Sequence, residues 1–154
     1  MIQRIQTVYL LIAEMLIAAL FFVPFAEIAG KEGSHYRFDI NGIFVLGVPT
    51  PETILGSLPL VILWALSMIL ILVTIFVFKN RILQMRICAI NIFLMLSLSG
   101  LIYYYGWSGA KILTGVYSFN IYLVFPLIAA VLIYLAKRAI NKDELLVRSI
   151  DRIR

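Results

Sequence analysis

Residues 53–78, TILGSLPLVILWALSMILILVTIFVF, contain no charged side chain and are mostly apolar. A transmembrane helix needs about 20 such residues to cross the roughly 30 Å of hydrocarbon in a bilayer. Three further apolar runs lie on either side, at residues 5–26, 87–110 and 112–136. The sequence therefore predicts four transmembrane helices in one bundle, with an outer loop over residues 27–52.

The composition of the whole chain indicates the same class of protein. Apolar residues make up 63% of it and charged residues 14%, and the mean hydropathy is +1.03. Soluble domains carry about 25% charged residues, because one small core cannot bury so much apolar surface. We therefore expect an all-α integral membrane protein, with a four-transmembrane-helix domain over residues 1–140 and a tail over residues 141–154.

The distribution of basic residues predicts the orientation in the membrane. Ten of the 13 lysines and arginines lie before the first apolar run, between the second and third, or after the fourth. Only Lys31, Arg37 and Lys111 lie in the other two connections. Because Lys and Arg in short loops stay on the cytoplasmic side, both termini are expected to be cytoplasmic. The net charge of +5 then follows from the topology, and we expect the lipid bilayer, and not DNA, as a partner.

The outer loop carries the pattern of a small β-hairpin. Residues 36–46 alternate apolar and polar side chains around Asn41 and Gly42. An Asn-Gly pair between two such runs favours a type I′ turn, because both central residues then need positive φ. The pattern predicts two short strands, at about residues 36–40 and 43–46.

Pro126 lies in the middle of the fourth apolar run. Proline inside a helix removes one backbone hydrogen bond and crowds the preceding turn. We therefore predict a kink in the fourth transmembrane helix at Pro126, which would free the carbonyl of Tyr122.

The tail has the pattern of a short basic amphipathic helix. Asn141 and Glu144 have the spacing of a capping box. Residues at helical spacing then separate an apolar face from a basic one. The predicted docking residues, together with Arg4 near the N-terminus, are Leu146, Arg148, Ile150, Arg152 and Ile153. Two interpretations stay open: the tail lies on anionic lipid, or it docks a cytoplasmic partner.

Glu14 is the one charged residue inside an apolar run. Its distance from Arg4 places it near the bilayer midplane at about 1.5 Å per residue, at the level expected for Ser67 and Ser97. Because a charged group is costly there, we expect a protonated carboxyl. One hypothesis is proton or cation coupling through Glu14; the other is an interhelical hydrogen bond. Asn91 and Asn120 are interpreted as polar contacts between helices in the same way.

Few residues suggest catalysis or metal binding. His35 is the only histidine, Cys88 is the only cysteine, and a metal site normally needs three or four ligands. A single cysteine also excludes an internal disulfide, so we expect a buried reduced thiol. Acidic residues in the outer loop are scattered, and no phosphate-binding or nucleophile motif is present. We therefore predict no catalytic residue, no metal site, no cofactor and no enzyme.

Both ends of the chain resemble a known family. The motifs are MIQRIQTVYLL at residues 1–11, and KDELLVRS at 142–149 followed by DRIR at 151–154. They resemble a Gram-negative bacterial family catalogued as domain of unknown function 4293, and the resemblance extends over the whole length. It implies a four-span protein of the inner membrane, and no catalytic residues. The two motifs lie at the predicted cytoplasmic ends and not in the membrane. This position suits contact with a cytoplasmic or membrane-surface partner better than a path for a substrate.

These observations favour a non-enzymatic accessory or scaffolding subunit of a cytoplasmic-membrane protein complex. Envelope biogenesis and protein export are the partner classes to test first. The alternative is a small proton-coupled carrier or channel that uses Glu14. A weaker alternative is a lipid-modifying membrane enzyme, which an assay of lipid turnover would test.

Overall fold

The computed structural model describes residues 3–30, 34–47, 53–78 and 80–151, with side chains for residues 5–30, 34–47, 53–78 and 80–146. Within this part the helices are α1 (Gln3–Ala19), α2 (Leu58–Phe76), α3 (Arg81–Ile112) and α4 (Phe125–Asp151). The strands are β1 (Ala26–Ala29), β2 (His35–Asp39), β3 (Gly42–Val45), β4 (Thr53–Gly56) and β5 (Val116–Phe119). A short 3₁₀ helix, Ile121–Val124, precedes α4.

The prediction of an all-α four-transmembrane-helix bundle is wrong. The five strands form one antiparallel sheet in the order β4-β3-β2-β1-β5. Strands β4 and β5 lie inside the apolar runs at 53–78 and 112–136, which were assigned to helices, whereas β1 begins at the last residue of the run at 5–26 and continues into the predicted outer loop. Hydropathy cannot separate a short apolar strand from the end of a transmembrane helix, because both are apolar.

The predicted hairpin is confirmed, but its turn differs. Strands β2 and β3 pair antiparallel with Asp39 opposite Gly42, so Ile40 and Asn41 form the turn. Among the described residues, Thr114 is the non-glycine residue with positive φ, so Asn41 lacks the conformation of a type I′ turn. Instead the N–H of Asn41 donates to Oδ1 of Asp39 at 3.0 Å.

The four helices form a ring: α1 contacts α2, α2 contacts α3, α3 contacts α4, and α4 contacts α1. We call the end that carries the sheet the sheet end. The opposite end, where α1 begins, α2 ends, α3 begins and α4 ends, is the basic end. Several α4 residues in the core are small, Ala129, Ala130 and Ala136. Small side chains allow helices to approach closely.

The inner face of the sheet covers the last turns of α3. A Cβ on Gly106 would crowd the ring of Phe119, and one on Gly109 would overlap the side chain of Ile43. These two glycines lie three residues apart, on one face of the helix. They let α3 pass directly beneath β5 and β3, which closes the sheet end of the bundle.

Hydrogen bonds connect the sheet to the helix ends. The Ser57 hydroxyl donates to the carbonyl of Ile40 at 2.7 Å, at the start of α2. The side chain of Asn120 donates to the carbonyl of Pro24 at 3.3 Å, and its backbone N–H donates to Phe25 at 2.9 Å. Asn120, which lies between β5 and the 3₁₀ helix, therefore joins this part of the chain to the residues just before β1.

Two predictions about the fourth helix are also corrected. Pro126 does not kink the middle of a helix, because α4 begins at Phe125 and Pro126 lies in its first turn. Proline is tolerated there since the first N–H groups have no partner inside the helix. The tail is not a separate helix, because α4 continues without a break through Asn141 to Asp151. Without glycine or proline, the capping-box pattern does not start a new helix.

Three helical segments are long and apolar enough to cross a membrane: Leu58–Phe76, Arg81–Ile112 and Ile121–Leu146. The apolar part of α1, Ile5–Ala19, is shorter. It ends where Phe21, Phe22 and Pro24 lead into β1, although the sequence pattern extended the helix to residue 26. These three segments indicate a membrane protein.

Candidate functional site

Among the described residues, most of the polar side chains inside the bundle form two groups. We call the group nearer the basic end the lower polar layer; its members are Gln6, Thr74 and Gln84. The group nearer the middle of the bundle is the upper polar layer; its members are Glu14, Ser67 and Asn91. All of these residues except Glu14 are buried, and Glu14 is half-buried. The upper layer lies seven or eight residues along each helix from the lower one, roughly 10–12 Å at 1.5 Å per residue.

The lower polar layer is only partly hydrogen-bonded. The amide Nε2 of Gln84 donates to the carbonyl of Thr74 at 3.0 Å, which joins α3 to α2. The Thr74 hydroxyl donates back to Leu70 in its own helix at 2.6 Å. Gln6 is 6% exposed, and its Nε2 has no hydrogen-bond partner among the described residues. A buried donor without an acceptor is costly.

The upper polar layer contains two more buried polar atoms without a hydrogen-bond partner among the described residues, and both of them are oxygen atoms. The side chain of Asn91 donates to the carbonyl of Ser67 at 3.5 Å, a long bond. Within the described part of the chain, Oδ1 of Asn91 and Oε2 of Glu14 are buried and have no hydrogen-bond partner. Both are oxygen atoms, so both can accept a bond from a protonated group or contact a cation.

The predicted partners of Glu14 make other contacts. The Ser67 hydroxyl donates to Leu63 at 2.7 Å, and the Ser97 hydroxyl donates to Phe93 at 3.0 Å. Both bonds stay inside one helix, as is common for serine in apolar helices. Ser67 shares the depth of Glu14 and contributes its carbonyl to the layer, whereas the structure gives Ser97 no contact with it.

An ion pair links α3 to α4 at the basic end. One guanidinium nitrogen of Arg81 lies 3.2 Å from the carboxylate of Asp143 and 4.0 Å from that of Glu144. These side chains are mostly shielded from solvent, which strengthens the attraction relative to an exposed pair. The contact holds the last turns of α4 against the start of α3. Beyond it, Leu145 is 59% exposed and Leu146 is 46% exposed.

Most of the predicted docking residues cannot be placed. Arg152 and Ile153 lie outside the described residues, and so do the side chains of Arg4, Arg148 and Ile150. Leu146 is described, on the same helix as the ion pair. Among the residues that are described, no three His, Cys, Asp or Glu side chains lie close enough together to hold a metal ion.

Sequence analysis missed Gln6, Gln84 and Arg81. Gln84 and Arg81 lie in what the hydropathy pattern treats as the connection between the second and third apolar runs, and they are in fact in the first turns of α3. Gln6 lies at the start of the first run, where an uncharged amide lowers the hydropathy little. The signal that could have found the two glutamines is that each lies within one helical turn of the start of a predicted apolar run.

The fold combines helices with one antiparallel sheet, and three helical segments are long and apolar enough to cross a membrane. The protein therefore belongs to the class of membrane proteins, with a sheet at one end of its helices. The chain belongs to the family described as Domain of unknown function (DUF4293), whose model matches residues 2–153. This confirms the resemblance found at the two ends of the sequence. No curated protein matches the chain.

Proposed function

We propose that this chain is a non-enzymatic accessory or scaffolding subunit of a protein complex in the bacterial cytoplasmic membrane. In this proposal it crosses the membrane several times, with the basic end and both termini in the cytoplasm. The concentration of Lys and Arg at that end supports this orientation. The sheet would then lie on the outer side.

The exposed leucines near the end of α4 carry the proposal. The 27 residues of α4 extend about 40 Å, against about 30 Å of hydrocarbon. Its last turns therefore project beyond the bilayer core at the basic end. The ion pair from Arg81 to Asp143 holds them in a defined direction, and Leu145 and Leu146 follow on the helix surface. A rigid helix with exposed apolar side chains fits the groove of a partner protein.

Replacing Leu145 by aspartate tests this docking surface. We expect a tagged protein, purified in a mild detergent, to retain a defined membrane partner, and Leu145→Asp to lower the retained amount roughly tenfold. The reason is that a charge placed in a buried apolar contact costs at least as much as a lost interface anchor. Quantitative mass spectrometry of the purified material measures the loss.

Asn141→Asp is the matched control, because it adds the same charge to an exposed position one turn earlier on α4. It should leave the partner in place. Recovery of the protein only as a monomer or homo-oligomer contradicts the proposal. An equal loss of partner from both variants contradicts it as well, since the effect would then come from charge alone.

The upper polar layer favours a second candidate function, a small proton-coupled carrier or channel. Oε2 of Glu14 and Oδ1 of Asn91 are buried acceptors at similar depth on α1 and α3, and neither has a partner in the described structure. Ionisable residues inside a membrane bundle commonly face an ion or proton path. In this function Glu14 is the group that takes up and releases the proton.

Glu14→Gln separates the two functions. If Glu14 carries protons, the variant should lose at least tenfold in proton flux into liposomes, measured with an enclosed pH-sensitive dye, because an amide cannot titrate. Its thermal stability should change little, since the side chain keeps its size. Ser97→Ala is the control, because the Ser97 hydroxyl bonds only within its own helix. Equal flux through wild type and Glu14→Gln eliminates the carrier.

A further inference from the structure

Helices α1 and α2 are joined near the sheet end, and a cavity lies between them toward the basic end. At the sheet end, Nε1 of Trp64 donates to the carbonyl of Ile17 at 2.8 Å, and the ring of Phe21 stacks on Trp64 with centroids 5.4 Å apart. Toward the basic end the two helices enclose a cavity of about 620 Å³, closed on a third side by the start of α3. This volume is in the range of small-molecule sites.

One wall of the cavity is apolar and reaches the outer surface of the bundle. Val8 on α1 and Phe76 on α2 both line it, and both are largely exposed on the outside of the helices. Ile75 lies beside them. In a membrane this surface faces acyl chains, so hydrocarbon can enter the cavity from the side without crossing a polar barrier.

The polar wall of the cavity offers hydrogen-bond donors. Gln6 is more than nine-tenths buried and lines the cavity, and its Nε2 has no acceptor among the described residues. Arg81 lines the same wall and is the first residue of α3. The preceding Asn80 makes no side-chain capping bond, so its side chain does not occupy the first N–H groups of this helix. A helix N-terminus favours negative charge.

The charge balance at this wall indicates which anion fits. Arg81 already pairs with Asp143 at 3.2 Å and lies 4.0 Å from Glu144, so these carboxylates neutralise its charge. Gln6 and the α3 N–H groups donate without adding a full positive charge. The wall therefore suits a group with several acceptor oxygens and a single negative charge. A phosphodiester has both properties, and in a bilayer it comes attached to acyl chains.

We propose that this cavity binds one anionic phospholipid from the adjacent leaflet. Its phosphodiester accepts hydrogen bonds from Gln6 and the start of α3, and one acyl chain lies along Val8, Ile75 and Phe76. The lipid fills the space between α1 and α2 and supplies the acceptor that Gln6 lacks. This site is independent of the partner-docking surface at the end of α4.

Native mass spectrometry can measure the bound lipid. We expect protein released from bilayer nanodiscs with equal amounts of phosphatidylglycerol and phosphatidylethanolamine to retain one phosphatidylglycerol. Gln6→Glu should lower this retention about tenfold, because it replaces the donor by a charged acceptor of the same shape. Gln6→Lys should keep the retention, since it restores a donor and adds positive charge.

Val8→Trp should also lower retention, because the larger ring occupies the acyl-chain path. Its matched control is Met15→Trp, at an exposed position on the same helix and outside the cavity, which should not. Equal retention of both lipids by wild type, with no effect of Gln6→Glu, overturns the proposal. So does displacement of the lipid by inorganic phosphate alone. Loss of retention in Gln6→Lys with a lowered melting temperature overturns it too, since Gln6 is then only structural.

Discussion

Gly42→Ala is expected to lower the free energy of unfolding by about 3 kcal/mol. Gly42 has a φ of +145°, a conformation that residues with a side chain rarely adopt. A Cβ at this position would also overlap the carbonyl oxygen of Leu55 in β4. Backbone strain and the clash both destabilise the variant. Strand β3 cannot shift to relieve either of them without breaking its pairing with β4. Thermal unfolding in detergent, followed by circular dichroism, measures the effect.

Substitutions at two other glycines separate the effect of backbone strain from the effect of the steric clash. Gly47 also has positive φ, at +92°, but a Cβ there meets nothing within 4 Å, so Gly47→Ala should cost about 1 kcal/mol from strain alone. Gly56 pairs with Gly42 in the sheet and has open space around it, so Gly56→Ala should change the stability by less than about 0.5 kcal/mol. Three equal effects would contradict this account of β3 and β4.

Trp64→Ala is expected to lower the free energy of unfolding by about 3 kcal/mol. Trp64 makes the indole hydrogen bond to the carbonyl of Ile17 and stacks on Phe21, and these contacts join α2 to the end of α1. Removing the ring leaves a cavity and loses both contacts. Trp64→Phe keeps an aromatic ring and should cost only about 1 kcal/mol, the value of one hydrogen bond.

Trp107→Ala is the control for removing an indole. Trp107 is 47% exposed, and Nζ of Lys111 lies 5.3 Å from its ring centroid. A half-exposed cation–π contact contributes about 0.5–1 kcal/mol, so the melting temperature should fall much less than for Trp64→Ala. A similar fall in both variants would show that Trp64 is not the main connection between α1 and α2.

The positions of the helices were predictable from hydropathy, because each helix contains a long continuous stretch of apolar residues. Each apolar run overlaps one of the four helices, and the polar boundaries at Lys79 and Arg86 place the turn between α2 and α3 within a few residues. The hairpin was also predictable, since residues 36–46 alternate in hydropathy and pair with each other locally. Both signals depend on residues that are near one another in the chain.

The rest of the sheet was not predictable for the opposite reason. Strand β5 lies next to β1, with Phe119 opposite Ala26, although the two are far apart in sequence. Each is only four residues long, which is too short to show a period that distinguishes a strand from helix or loop. Of the candidate site, Glu14 was recognisable from its charge. Gln6 and Gln84 were not, because their importance comes from a cavity formed by three helices.

The position of β5 at the margin of the sheet has a consequence for biosynthesis. Its partner β1 is translated before α2, whereas β5 follows α3, so a growing chain carries an incomplete sheet until most of it has been made. During that interval the free side of β1 offers unpaired N–H and carbonyl groups, which invite pairing with other chains. Arrival of residues 116–119 ends this exposure and joins an early part of the polypeptide to a later one.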